Sequence, residues 1–219
     1  MTRAVLLAHG SPDPRSAQAV RAAAAVVAAR TGTDVTAAFL EHDEPRLAGA
    51  VGDESAVVLP LLLSTAYHAT VDVPAAAAPL GDRVRLLDPL GHPPEVLDAR
   101  LRRSGGPAVV VSAGTRDDDE RTAFADAVAA SAWRTGVRAV AAYATGPGPR
   151  LTDVAAPGET TVVPWLLAPG RLLDSLLAAS AASGVQVAGG PLLEEPTLLD
   201  LLAARLGARL AEQPAGTLR

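Results

Sequence analysis

The chain contains no cysteine. That excludes disulfides, thiolate metal sites and cysteine nucleophiles, and leaves the redox compartment undetermined. Any metal would have to be held by imidazole and oxygen ligands. Lysine, isoleucine and asparagine are absent too, so all 19 basic residues are Arg, a pattern that reads as the codon bias of a GC-rich genome rather than selection for guanidinium chemistry. Aromatic residues make up only 3% of the chain, so the core must be assembled from Val, Leu and Ala. The net charge is −5, with no basic run and no aromatic–basic interleaving, which argues against a nucleic-acid partner. The opening apolar run, which ends at His9, is too short for a secretory signal and far too short to span a bilayer. The expectation is a cytoplasmic protein without a membrane segment, and no protein partner can be inferred.

What is present is apolar material: 49% of 219 residues, enough for one medium domain or two small ones. Short apolar runs at Ala4–Ala8, Val35–Leu40, Ala56–Leu63 and Val84–Leu87 read as strands. They are continuously apolar, as strands buried on both faces of a parallel sheet are. Between them, Arg15–Arg30, Glu44–Val51, Val71–Ala78 and Pro94–Arg102 read as helices, several with Pro, Ser or Asp near the start. This alternation predicts a doubly wound α/β architecture.

The pattern then repeats. Shifted by 104 residues, Ala4–Tyr67 lies on Ala108–Arg171 without a gap, with 20 of 64 positions identical and only seven of those Ala. Arg30-Thr31-Gly32 falls on Arg134-Thr135-Gly136, and Pro45-Arg46-Leu47 on Pro149-Arg150-Leu151. Gly10, Asp13 and Pro60 meet Gly114, Asp117 and Pro164. After a two-residue deletion, Pro89-Leu90 meets Pro191-Leu192 and Pro94 meets Pro196. The sequence is a tandem duplication with halves at 1–104 and 105–219, joined through Ser104-Gly105-Gly106-Pro107. The residues from about Glu212 read as a frayed tail.

The duplication allows an internal comparison. His9 corresponds to Ala113, Glu41 to Thr145 and His68 to Leu172, so the second copy keeps its turns while losing three residues with metal-binding chemistry. His9, Glu41 and His68 each follow a predicted strand, on the edge where open parallel sheets bind ligands. If the strands of His9 and His68 are neighbours, the two imidazoles come within roughly 10 Å of each other. Two imidazoles and a carboxylate suit Fe, Co, Ni or Zn. His42, in the acidic stretch Glu41-His42-Asp43-Glu44, reads as a solvated loop residue. His92 follows the fourth strand, within reach of a cleft, and its repeat partner is Glu194. A histidine phosphatase is excluded because Ala8 stands where a phosphate-gripping Arg would be needed. A serine hydrolase is excluded because neither Ser64 nor Ser112 lies in a G-x-S-x-G elbow.

The segments LLAHGSPDPRS, AAFLEHDEPRL and VVLPLLLSTAYHATVDVP resemble the class II tetrapyrrole chelatases of the sirohydrochlorin cobaltochelatase/ferrochelatase family, in its long, two-half form. The resemblance implies two similar α/β halves with a cleft between them that receives the macrocycle. It implies His9 and His68 as the metal-handling and proton-accepting pair, with Glu41 as a third ligand or as the group that orients an imidazole. The activity implied is insertion of a divalent metal (Fe²⁺ or Co²⁺, with Ni²⁺ a further candidate) into sirohydrochlorin for siroheme or cobalamin biosynthesis, without an organic cofactor. A carrier that binds tetrapyrrole or metal without catalysis is the alternative. Where many relatives have Gly before Tyr-His, this chain has Ala66, a change expected to alter the loop or the pocket rim. A substrate with eight carboxylates would need local arginines; Arg15, Arg46, Arg116, Arg150 and Arg171 lie near the functional edge.

Overall fold

The computed structural model describes residues 3–64 and 68–211, with the side chain of His68 outside the description. It contains two four-stranded, all-parallel sheets. The first sheet comprises β1 (Arg3–Ala8), β2 (Val35–Phe39), β3 (Ala56–Pro60) and β4 (Val84–Leu86) in the order β2-β1-β3-β4. The second comprises β5 (Ala108–Ser112), β6 (Ala139–Tyr143), β7 (Thr161–Trp165) and β8 (Gln186–Val187) in the order β6-β5-β7-β8. The helices are α1 (Pro14–Thr31), α2 (Leu47–Val51), α3 (Val73–Ala77), α4 (Pro94–Arg103), α5 (Asp118–Thr135), α6 (Leu151–Val154), α7 (Arg171–Ala182) and α8 (Pro196–Ala211). The doubled α/β architecture expected from the sequence is the one observed. Among the described residues, no helix is long and apolar enough to cross a membrane.

The inner strands β1, β3, β5 and β7 form where expected because they are covered on both faces, whereas β4, expected from its apolar run to be buried on both faces, is an edge strand with Arg85 and Leu86 exposed. Alternate residues of β1 point opposite ways. Val5 and Leu7 join Ala38, Val58, Leu47, Ala50, Val51 and Val73 in one apolar cluster, while Ala4 and Leu6 are equally buried on the other side. Each such Val or Leu contributes roughly 1.5–3 kcal/mol by leaving water. The second sheet repeats this with Val109, Val111, Val162, Leu173 and Leu176.

Several elements are shorter than the periodicity suggests, among them β3 and α2. β3 ends at Pro60, although Leu61 and Leu62 remain buried beyond it. Helix α2 begins at Leu47 instead of Glu44 because the preceding residues are used elsewhere: Phe39 N–H donates to Pro45 O, and Arg46 bridges Phe39. The duplicated triplets have structural jobs. Asp13 and Asp117 are N-caps whose carboxylates accept backbone N–H groups, and Gly32 and Gly136 end their helices in the left-handed region at φ 68° and 71°.

The compact units do not follow the sequence halves. One comprises residues 1–91 and 198–219, the other residues 92–197. Each repeat's last helix is therefore counted with the other repeat's sheet. In the first unit, α8 is tied to α1 by the Arg30–Asp200 ion pair at 3.0 Å.

In the second unit, α4 is tied to α5 through Asp98. Its carboxylate accepts from Ser131 Oγ at 2.6 Å and from Arg134 Nη2 at 2.8 Å. The hydrogen bonds from Arg134 hold Asp98 below the usual carboxylate range against the opposing effect of burial. Because the folded state favours the ionised form, the stabilisation is complete above the unfolded value near 3.9. It is lost as pH falls through the lowered folded value. Asp98→Asn is expected to cost roughly 1–3 kcal/mol at neutral pH and to flatten the acid limb of a thermal-melt pH profile. An unchanged limb would count against this account.

Candidate active site

In the first unit the strand order reverses between β1 and β3, as β2 lies on one side of β1 and β3 on the other. Open parallel sheets bind ligands beyond the carboxyl ends of their strands at such a reversal. His9 directly follows the central strand β1 there, and β1 pairs in parallel with β3 from Arg3↔Ala56 to Leu7↔Pro60. The neighbour relation on which the sequence argument depended is present.

Glu41 meets His9 through the backbone. Leu40 N–H donates to Ala8 O and Glu41 N–H to His9 O at 2.8 Å, extending the β1–β2 ladder past its last regular pair. Gly10 makes this approach possible. A Cβ at that position, with φ at +97°, would lie 1.9 Å from Glu41 O. The second copy repeats the arrangement, with Thr145 N–H donating to Ala113 O and Gly114 against Thr145 O. The scaffold is therefore duplicated, while His9 and Glu41 belong to one copy only.

The His9 ring is half-buried, with Nδ1 3.2 Å from Gly10 O. His42, read from sequence as a solvated loop residue, is exposed as expected. Its ring centroid nevertheless lies 6.5 Å from that of His9, and its Nε2 is 3.5 Å from Glu41 Oε2. His42 is the one non-glycine residue with positive φ among those described, at 65°. That conformation costs an ordinary L-residue about 1–2 kcal/mol. The position was legible in the duplication, because its partner is Gly146, at φ 73°.

The backbone at His68 opens a π-helical turn, His68–Asp72, that runs into α3. The matching segment of the second copy is the regular helix α7. Single π-turns inside helices are frequent at functional sites. The His68 side chain, like Ala66 and the tail from Glu212, lies outside the described residues. Among the described residues, no three histidine, aspartate or glutamate side chains stand in metal-ligating geometry.

His92 is occupied. Trp165 Nε1–H donates to its Nδ1 at 3.1 Å, and an indole can only donate, so the ring proton sits on Nε2 and faces Glu120 Oε1 at 3.0 Å. Both nitrogens are thus engaged in a nearly buried network of the second unit, and neither is presented to a metal. The positions matching Trp165 and Glu120 in the first copy are Leu61 and Ser16, so this network has no duplicate. Of the candidate arginines, Arg15 is paired to Asp13 at 2.6 Å, Arg46 to Glu44 at 3.4 Å, and Arg150 donates to Tyr143 O. A cavity of about 470 Å³ in the second unit is lined by Arg100, Arg103, Gly189, Gly190, Glu194 and Glu195. Both arginines are already paired with Glu195, and Glu194 adds a second carboxylate to the lining. Burial pushes the Glu195 carboxyl up, but the hydrogen bond from Arg103 and the two guanidinium charges hold it below its ordinary value.

Comparison with known proteins agrees with this fold. Residues 3–105 match the CbiX family. No curated protein matches the sequence. Among solved structures, SirB from Bacillus subtilis with Fe³⁺ aligns at a TM-score of 0.71 and 23% identity, over 97% of this chain and 98% of SirB. CbiX, titled the terminal enzyme for biosynthesis of siroheme in denitrifying bacteria, aligns at 0.69 and 22%, over 96% of this chain and 100% of that one. A multi-domain protein of Deinococcus radiodurans with structural similarity to chelatases aligns at 0.73 and 20%, over 94% of this chain and 55% of its own. The CbiX-like half carries His9, Glu41, His42 and His68. The likeness of the whole chain to these structures gives the second half the same chelatase-type fold.

Proposed function

We propose that the chain is a cytoplasmic chelatase that inserts a divalent metal, Fe²⁺ or Co²⁺ with Ni²⁺ as a further candidate, into sirohydrochlorin, serving siroheme or cobalamin synthesis. The observation that carries this reading is the CbiX match of residues 3–105, with His9 standing at the strand-order reversal of the first sheet. The likeness to SirB and CbiX supports the same frame.

Insertion requires two pyrrole N–H protons to leave while a hydrated dication sheds water. A neutral imidazole suits both tasks, since its ordinary pKa near 6.5 lets it bind metal or accept a proton close to neutrality. In this reading His9 and His68 hold the metal and accept the protons. Glu41 completes the ligand set or orients an imidazole. The metal is a substrate, and no organic cofactor is required.

The test is turnover. Catalytic amounts of protein with excess sirohydrochlorin and Co²⁺, then Fe²⁺, are expected to metallate many equivalents, followed by the absorption change of the macrocycle. A reaction that stops at one equivalent would identify a carrier instead. The faster metal would indicate the pathway.

A further inference from the structure

We propose that His42 is a further metal-binding residue, which together with His9 captures the incoming divalent cation from solvent. The inference rests on the chelatase reading only for the destination of the metal. The capture site itself follows from four observations in the first unit.

First, the ring centroids of His9 and His42 lie 6.5 Å apart, with the ring planes tilted by 51°. With metal–nitrogen bonds of about 2.0–2.1 Å, two imidazoles on one metal have centroids roughly 5–6.5 Å apart. An inward swing of His42 by about an ångström, open to an exposed side chain, completes the pair.

Second, the turn demands a positive φ, and glycine meets that demand without steric cost. The second copy uses Gly146 at φ 73°, whereas the first keeps a histidine at φ 65°. Backbone conformation alone favours glycine in both copies. Such local strain is characteristic of functional positions. The imidazole is kept in the one copy that also retains His9, Glu41 and His68.

Third, Glu41 Oε2 lies 3.5 Å from His42 Nε2, so a carboxylate is at hand either to orient the ring or to join the metal. Fourth, Asp43 in the same loop has a buried Oδ2 with no hydrogen-bond partner among the described residues. A buried carboxylate oxygen without a donor leaves negative charge uncompensated, and a cation held by this loop offsets it. Imidazole and carboxylate donors favour the first-row dications over Mg²⁺ or Ca²⁺. His42 is exposed and His9 half-buried, so the pair forms a path from solvent towards the strand ends.

The experiment is titration of the full chain with Co²⁺ alone, followed by calorimetry, by the cobalt d–d absorption band and by histidine-ring NMR. His42→Gly installs the residue of the second copy and relaxes the turn. It is expected to weaken Co²⁺ binding at least tenfold with a thermal midpoint no lower than wild type. His42→Asn, which also tolerates positive φ, is expected to weaken binding to a similar extent. In the wild-type chain, Co²⁺ is expected to broaden the ring signals of both His9 and His42. Unchanged Co²⁺ affinity in both variants, or no measurable Co²⁺ binding by the wild-type chain, overturns the proposal. The two readings fail separately. If wild type metallates sirohydrochlorin but His42→Gly binds Co²⁺ as tightly, His42 is excluded and the chelatase stands. If His42→Gly loses Co²⁺ but no metallation ever occurs, the metal site stands and the chelatase falls.

Discussion

His9→Ala and His68→Ala are each expected to lower sirohydrochlorin metallation by about 10²–10⁴-fold, the range contributed by a positioned acid–base group. The fold should survive. The second copy already has Ala113 and Leu172 at these positions, on a scaffold with the same parallel pairing and the same bond past the strand end. Thermal midpoints close to wild type with turnover near background would fit the assignment. Substantial turnover by the double variant would refute it. The two singles should be far from additive, because removing either ligand disables the same step.

Gly10→Ala is expected to be the most disruptive single methyl group in the first unit. The new Cβ would sit 1.9 Å from Glu41 O on a backbone at φ +97°. Neither the φ nor the neighbour can adjust cheaply, since the colliding atom is main chain. The Glu41 loop must therefore move. That breaks the Glu41 N–H to His9 O bond and separates Glu41 and His42 from His9. A loss of roughly 3–5 kcal/mol in stability is expected, together with loss of Co²⁺ binding. Gly114→Ala provides the control. Its Cβ meets Thr145 O at 2.0 Å in the same geometry, so the stability cost should be similar, but Co²⁺ affinity should be retained because the second copy carries none of the residues proposed to bind metal. Chemical denaturation gives the first quantity and Co²⁺ titration the second. If both variants lost Co²⁺ binding equally, the metal site could not be a property of the first unit alone.

Much of this architecture was legible because its determinants are local. Continuous apolar runs announce buried parallel strands. Asp13 and Asp117 mark helix starts, and Gly32 and Gly136 mark helix ends, within one turn of the residues they serve. The sequence was less informative where residues do two jobs. Pro45 and Arg46 looked like the entry to α2, but they hydrogen-bond or bridge back to Phe39, so the helix starts later. His92 follows a strand end much as His9 does, yet it is consumed by Trp165 and Glu120, residues far along the chain and unremarkable in sequence. His42 stands exposed in its loop, as its acidic and polar neighbours indicate, and its place beside His9 is marked in the sequence only by glycine at the matching position of the duplicate, a conformational rather than chemical signal.

By itself the sequence determined the doubled α/β plan, the strand and helix order, and the copy that carries the histidines. These follow from hydrophobic period, turn chemistry and repetition, all of which act over short stretches of chain. Only the tertiary structure decided which rings stand together and which are already engaged. It also decided that α4 and α8 are exchanged between the compact units. Such outcomes depend on backbone bonds across neighbouring strands and on where an apolar helix face finds cover, and both join residues whose separation along the chain carries no local mark.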